Sequence, residues 1–533
     1  MTDTRALAEA WIADDPDPAS RDELRDVLDR LPETSAELAA RFAGPLVFGT
    51  AGLRGPLRAG PNGMNLAVVR SAAAGLVAWL AARGARGPVV IGYDARRGSR
   101  AFADETARVA TGAGRAALVL PGPLPTPVLA FAVRALGAAA GVMVTASHNP
   151  PEDNGYKVYL SDGAQIAPPA DREIEAAIRA VGSLADVPLG PPGGTLDGSV
   201  VDDYVRRAVG VAAPDGPRDL RVAYTPMHGV GRDVLTRVLT RAGFPAPAVV
   251  PEQGEPDPAF PTVAFPNPEE PGAMDLVLAL ADRSGADIVI ANDPDADRCA
   301  VAVAGRMLRG DEVGVLLADH LMRRGVRGRY ATTIVSSSLL RALCAARGLP
   351  YTETLTGFKW IVRAGDDLVY GYEEALGYSV APDLVRDKDG ITAALLVCEL
   401  AAQLKAAGQG LGDRLDELAR EFGVHATDQL SVRVTDLGLI AAAMKRLRAA
   451  PPATLLGGAV TAVEDLMPGA DVVVVRTGPA RVVVRPSGTE PKLKAYLEIV
   501  EPVPDGDVGA ARERAAAALA HLRTETAATL GLS

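Results

Sequence analysis

Lysine is scarce in this chain of 533 residues. Of its 55 basic residues only seven are lysines, at 157, 359, 388, 405, 445, 492 and 494. The remaining positive charge is arginine, so the lysines mark places where a compact ammonium that can shift its proton affinity is wanted. Five of the seven, at 157, 359, 388, 492 and 494, fall in or beside the motif segments described below. Cysteine is nearly absent as well. Cys299, Cys344 and Cys398 are far apart and odd in number, which fits neither a disulfide framework nor a cysteine-ligated zinc site. They predict buried, inert thiols in a reducing, cytoplasmic setting. Apolar runs are short. None approaches the ~18 residues of a membrane span, and the acidic stretch Met1 to Asp17 has no basic start or apolar core of a secretory signal. Positive charge is outweighed, with a formal net charge of −11. That excludes a surface built to neutralise nucleic-acid phosphates. It leaves room for a small anion held by cations focused in a cleft.

What is present reads as a folded protein, with 48% hydrophobic and 23% charged residues. At ~150 residues per domain, the length predicts three or four domains. Residues 1 to about 45 read as amphipathic helices, a packing extension without chemistry of its own. Three blocks of short apolar strands alternating with helices follow, the pattern of parallel sheets. The first has strands near Val89–Tyr93, Ala117–Leu120 and Gly141–Thr145, the second near Leu220–Tyr224, Ala248–Pro251 and Asp287–Ala291, and the third near Ala331–Val335, Tyr351–Thr354 and Leu368–Tyr372. From about His425 the pattern changes to longer strands and Ala-rich helices, an α+β domain with an antiparallel sheet. Linkers are expected at Ala185–Ser199 and Val211–Arg218. The expected domains are 1–215, 216–308, 309–424 and 425–533.

Each block ends by delivering a polar loop beyond a strand, where open α/β sheets bind ligands. The first loop is Thr145-Ala146-Ser147-His148-Asn149-Pro150. Its serine is a weak nucleophile alone and needs a base, a metal or a phosphate. The second is Asp293-Pro294-Asp295-Ala296-Asp297-Arg298. Three carboxylates at alternate positions make an all-oxygen site for a hard cation, with Mg²⁺ using them together with a phosphate oxygen. An EF-hand is excluded because Arg298 stands where the turn glycine belongs and Ala304 where the closing glutamate belongs. The third is Glu373-Glu374-Ala375-Leu376-Gly377, whose carboxylates can accept hydrogen bonds from sugar hydroxyls. Near it lie Thr356-Gly357-Phe358-Lys359 and Lys388, the latter flanked by acids. In the last domain Arg485-Pro486-Ser487-Gly488-Thr489-Glu490-Pro491-Lys492 joins two strands. It combines a bidentate cation with backbone N–H groups suited to a phosphate. Upstream of them all, Gly49-Thr50-Ala51-Gly52-Leu53-Arg54-Gly55 is another Gly-rich loop with one cation.

Taken together and in this order, the four loops resemble the α-D-phosphohexomutase superfamily, over about residues 45 to 500. The Gly49–Gly55 loop and Gly357-Phe358-Lys359-Trp360-Ile361 are similar to the branch holding bacterial phosphoglucomutases and phosphopentomutases. The resemblance implies three similar α/β domains with mixed, mostly parallel sheets and a C-terminal α+β domain, heart-shaped around a central cleft. It implies that Ser147 carries a phosphoryl group and that Ser147, Asp293, Asp295 and Asp297 hold one Mg²⁺. Arg54, His148, Lys157 and Lys388 then match positions linked to proton transfer and transition-state charge. Arg298, Thr356, Gly357, Lys359, Glu373, Ala375, Arg485, Ser487, Gly488 and Thr489 match the substrate-binding set. A sugar 1,6-bisphosphate serves as primer. The expected partner is a small phosphosugar, with no nucleic acid or membrane, on a cytoplasmic monomer or weak homo-oligomer. One departure stands out: the glucose-type sugar loop has Ser where this chain has Ala375. The favoured reading is a phosphoglucomutase. The alternatives are a phosphopentomutase, a sugar-bisphosphate synthase or phosphatase, and a non-catalytic binder, which would need neither Ser147 nor three aspartates.

Overall fold

The innermost strands are apolar from end to end because both of their faces are covered. Val89–Tyr93 and Ala140–Val144 are buried at every residue, the pattern of parallel strands packed between helices. The computed structural model describes residues 2–46, 52–434, 437–487 and 492–531. These strands sit at the middle of a six-stranded sheet. Its order is Leu53–Pro56, Asp153–Leu160, Ala140–Val144, Val89–Tyr93, Ala117–Val119, Gly194–Thr195. The first two pairings are antiparallel and the other three parallel. Three of these strands differ from the sequence reading. Leu53–Pro56 is an edge strand where the sequence reads as the end of a Gly-rich loop. Gly194–Thr195, inside the expected linker, adds an edge strand. Asp153–Leu160 is buried on both faces and so shows no alternation to betray it.

Local chemistry fixes the helices around this sheet. Leu66–Ala82 starts at Asn65, whose Oδ1 accepts the Val68 N–H at 3.0 Å, a side-chain cap on a free helix end. Thr126–Ala135 carries Pro127 in its first turn, where a missing N–H breaks no helical bond. The N-terminal helices Thr2–Asp14, Pro18–Asp29 and Ser35–Arg41 share a small core of Ala8, Val27, Leu28 and Leu38.

A second sheet runs Arg306–Met307, Ala300–Val303, Ile288–Ala291, Val222–Thr225, Ala248–Val249. Its last three strands are parallel. These two sheets, with residues 377–403, belong to one of two compact units: 1–308 with 377–403, and 309–376 with 404–533. In the second unit Arg329–Thr333 lies between Tyr351–Thr354 and Leu368–Glu373, parallel to both. An antiparallel sheet in the order Val424–Arg433, Lys492–Glu501, Ala480–Pro486, Val473–Arg476, Ala462–Asp465 follows. The helices Leu437–Ala449 and Val508–Leu530 lie against it. No single helix among the described residues is long and apolar enough to cross a membrane.

Candidate active site

Two loops of the first unit meet at their strand ends. Ser147 follows Ala140–Val144, and Asp293 follows Ile288–Ala291. Ser147 Oγ donates to Asp293 Oδ2 at 2.5 Å. Both loops turn through the left-handed region at a non-glycine residue, Ser147 at φ 52° and Ala296 at φ 53°. Such strain persists only where surroundings over-determine it, and it concentrates at functional sites.

Asp293, Asp295 and Asp297 each point one carboxylate oxygen into a common region, within 4.8 Å of one another and fully buried. Their other oxygens are spoken for. Asp295 Oδ2 accepts from Thr126 Oγ1 at 2.5 Å and from Lys157 Nζ at 2.7 Å. Asp297 Oδ2 accepts from Lys157 Nζ at 3.0 Å and faces Lys388 Nζ at 3.2 Å. Asp295 Oδ1 and Asp297 Oδ1 are buried without a hydrogen-bond partner among the described residues. Buried anionic oxygens left unpaired are costly. The group therefore fits a small hard cation, for which three convergent carboxylate oxygens are a suitable donor set.

The charges sort themselves accordingly. Burial opposes charge on Asp297, but Lys157, Lys388 and Arg298 outweigh it and hold its carboxyl far below the ordinary range. Asp295 moves upward, pushed by burial and then by Asp297. Burial draws the Lys157 ammonium down, yet Asp295 and Asp297 outweigh it and leave it raised. Lys157 is thus a held charge. His148 goes well below the usual imidazole value through burial and then the cations Arg298 and Arg54. Its Nδ1 lies 3.2 Å from Ser147 Oγ. Arg54 Nη1 donates to Asn149 Oδ1 at 2.9 Å. Lys388 reaches the group because Gly390 lets its segment lie against the aspartate loop. A Cβ on Gly390 would fall 2.2 Å from the Arg298 carbonyl oxygen.

The structure thus brings together Ser147, His148, Arg54, Lys157, Lys388, Asp293, Asp295, Asp297 and Arg298. The remaining described candidates belong to the second unit. Glu373 ends a strand and Ala375 follows it; both are partly exposed. Thr356 and Gly357 lead into the short helix Phe358–Ile361, with Gly357 at φ 108° in a region that side chains avoid. Lys359 in that helix is buried. Arg485 and Ser487 stand at the end of Ala480–Pro486, and the Ser487 N–H donates to the Lys492 carbonyl at 2.8 Å. Gly49, Thr50 and Ala51, and Gly488 and Thr489, lie outside the described residues.

Arg96 escapes a reading of the sequence. Its guanidinium gathers three carbonyls of the serine loop and one from the start of the strand after it: Ser147 at 2.6 Å, Asn149 at 2.5 Å, Pro150 at 2.8 Å and Asp153 at 3.2 Å. Beside it, Asp94 Oδ2 accepts from Thr145 Oγ1 at 2.6 Å, and Thr145 Oγ1 accepts the Ser147 N–H at 2.9 Å. Thr126 is a second such residue, since its N–H also donates to the Asp295 carbonyl. A signal for the first was available: Asp94-Ala95-Arg96 directly follows the strand Val89–Tyr93.

Four family models match the chain in succession. They describe phosphoglucomutase/phosphomannomutase α/β/α domain I at residues 45–184, domain II at 202–306, domain III at 309–422, and the C-terminal domain at 430–504. The chain belongs to the phosphoglucomutase/phosphomannomutase family. It is an intramolecular phosphotransferase, an isomerase of carbohydrate metabolism, with three α/β domains followed by the family's C-terminal domain. A probable phosphomannomutase of Haemophilus influenzae is 45% identical over 82% of this chain and 93% of that protein. A probable phosphoribomutase of Schizosaccharomyces pombe is 34% identical over 92% of this chain and 93% of its own length. A Staphylococcus aureus phosphoglucomutase is 34% identical over 86% of this chain and 90% of its own length. Among solved structures, a Thermus thermophilus protein with a provisional phosphomannomutase name superposes with a TM-score of 0.71, at 29% identity, over 89% of this chain and 99% of that one.

Proposed function

We propose that this enzyme is a phosphosugar mutase of the phosphoglucomutase type, interconverting glucose 1-phosphate and glucose 6-phosphate through a phosphoserine and a bisphosphorylated sugar. The observation that carries the reading is the 2.5 Å contact of Ser147 Oγ with Asp293 beside two buried carboxylate oxygens that have no hydrogen-bond partner among the described residues. The domain partition at 215, 308 and 424 is part of the same reading.

Asp293, Asp295, Asp297 and an oxygen at Ser147 would hold one Mg²⁺. When bound there, the ion neutralises charge on the transferring group, the main catalytic task in phosphoryl transfer. The chain's own residues do the rest. The phosphoryl group on Ser147 Oγ passes to the free hydroxyl of a sugar monophosphate. The serine O–P bond breaks and a sugar O–P bond forms. A lysine or His148 takes the hydroxyl proton, and the departing Ser147 oxygen takes one up in turn, with His148 Nδ1 3.2 Å from it. Lys157, Lys388, Arg298 and Arg54 spread compensating positive charge around the reacting oxygens. The bisphosphate turns around and returns its other phosphoryl group to Ser147. A trace of sugar 1,6-bisphosphate therefore primes the unphosphorylated enzyme. Glu373 and the Thr356–Lys359 turn meet the sugar, and Arg485, Ser487, Gly488 and Thr489 hold the phosphate that is not moving.

Ala375 supports a second reading, a phosphopentomutase acting on ribose or deoxyribose phosphates, because it removes a hydroxyl that could reach a hexose. One assay tests both: kcat/KM for glucose, mannose, ribose and deoxyribose 1-phosphates with Mg²⁺ and the matching bisphosphate. A hexose preference of tenfold or more, about 1.4 kcal/mol of transition-state binding, supports the first reading, and a pentose preference the second. Release of free phosphate alone would point to a phosphatase. Ser147→Ala is expected to lower turnover by at least ~10³-fold while calorimetry still detects phosphosugar binding. A near-normal rate would refute the phosphoserine route.

A further inference from the structure

The second unit holds a buried polar network with no part in the chemistry described above. Its centre is the turn Ser336-Ser337-Ser338, between the strand Arg329–Thr333 and the helix Leu339–Arg347. On one side the turn is tied to the Glu373 loop. Ser336 Oγ and Thr333 Oγ1 each donate to Glu374 Oε2 at 3.1 Å. The Ser337 N–H donates to Asp311 Oδ1 at 2.7 Å, and the Tyr372 hydroxyl donates to the same oxygen at 3.1 Å. On the other side the turn is tied to the strands carrying the Arg485 loop. Ser337 Oγ, the Ser338 N–H and Ser338 Oγ donate to Glu498 Oε1 at 2.9, 2.6 and 3.0 Å. Arg481 pairs with Glu498 Oε2 at 2.8 Å and donates to the Ile334 and Ser336 carbonyls.

Glu498 lies on Lys492–Glu501 and Arg481 on Ala480–Pro486. The ends of these strands carry Lys492 and Lys494, and Arg485 and Ser487. Apolar packing closes the same joint, with Val335 set against Val483 and Tyr496. Arg485 hydrogen-bonds the Tyr496 side chain, and Glu373 and Glu374 lie within electrostatic reach of it.

A glutamate only 3% exposed that is satisfied by so many donors adds little net stability. Its desolvation cost offsets most of the pairing energy. What such a network does supply is a single arrangement of the parts it joins. We propose that this network fixes the spacing between the Glu373 loop and the Arg485–Lys492 arms, so that the second unit measures the length of the phosphosugar it accepts. This rests on the sugar and phosphate roles given above. A hexose 6-phosphate and a pentose 5-phosphate offer the same phosphate and similar hydroxyls. They differ by one carbon between them, about 1.5 Å. A rigid gap rejects the wrong length, because an error of ~1 Å in placement can cost ~10²-fold in rate.

The test compares the wild-type enzyme with Ser337→Ala and Glu498→Gln, using glucose 1-phosphate and ribose 1-phosphate. The wild type is expected to discriminate between them by at least tenfold. In the variants that ratio falls at least fivefold toward one, mainly through a higher KM for the preferred sugar. Hydrolysis of the phosphoserine by water, which uses neither loop, stays within twofold, and Ser337→Thr restores discrimination. A uniform loss of activity with the ratio unchanged overturns the proposal, as does a wild-type ratio near one. Should Glu498→Gln fail to fold, Ser337→Ala decides. A wild type that turns over neither sugar sinks the glucose and ribose phosphate readings on which the proposal rests. A wild type that discriminates no better than its variants sinks only the network.

Discussion

Asp295 and Asp297 share Lys157 and still keep one oxygen apiece without a hydrogen-bond partner among the described residues. Spare buried oxygens of this kind are the donors a small hard cation would take up. Asp295→Asn removes a charge while keeping the shape. It is expected to raise the Mg²⁺ concentration for half-maximal activity by at least ~10-fold, read by metal titration. An unchanged titration would count against the site. A second carboxylate answers to pH instead. Burial pushes Asp311 up to about 7, with Glu374 and Glu498 adding to the rise against the Ser337 N–H. A carboxyl raised in the folded state contributes stability that is complete below its ordinary value near 4 and is lost as pH climbs through about 7. Asp311→Asn removes that dependence. From pH 5 to 8 the melting temperature of the wild type is expected to fall relative to Asp311→Asn. Parallel curves would refute the shift.

The serine loop shows what an element needs beyond its own residues. Four carbonyls converge on Arg96, so the loop is held by a side chain from the end of another strand. Arg96→Lys keeps the charge and loses the fork. It is expected to lower kcat by about 10²-fold with phosphosugar affinity within ~3-fold, separable by single-turnover phosphoryl transfer and calorimetry. A contrasting control is Asn65→Ala, which uncaps a helix, strips the Arg58 and Gly60 carbonyls of a donor, and is expected to lower stability while leaving kcat alone. The same loop marks where sequence reading stops. Thr145–Pro150, Asp293–Arg298, Glu373–Gly377 and Arg485–Lys492 were visible because an apolar run halts and reactive side chains follow it at once. Arg96, Thr126 and the Ser336–Ser338 turn act across long sequence separations. Arg96 does stand just past a strand end, but identity as Arg, Thr or Ser carries no period or spacing that predicts the partner. Asp153–Leu160 was missed because it is covered on both faces, and Gly194–Thr195 because two edge residues leave no pattern at all.

At the scale of the whole chain, contiguous sequence and compact unit are not the same thing. The first unit takes back residues 377–403 after the chain has entered the second. That return segment supplies much of the first unit's interior order. The Tyr159 hydroxyl donates to Asp387 at 2.8 Å, the Tyr204 hydroxyl to Asp389 at 2.9 Å, and the Ala213 N–H to Glu399 at 3.0 Å. A fragment of residues 1–308 lacks all three acceptors and the buried apolar helix Gly390–Ala406, which carries Glu399. It is expected to melt far below the intact protein and without a sharp transition, by circular dichroism. A cooperative melt at the intact protein's temperature would show the segment dispensable.

That return has a consequence for how the protein comes into being. Synthesis runs from the amino terminus, so every residue up to 308, the three aspartates included, emerges before Lys388. Until then the nascent carboxylate cluster lacks one of the two lysines that later offset it, and the segment that brings Gly390 against Arg298 has yet to be made. The reactive centre is therefore completed late on the ribosome, after the whole of 309–376 has been translated.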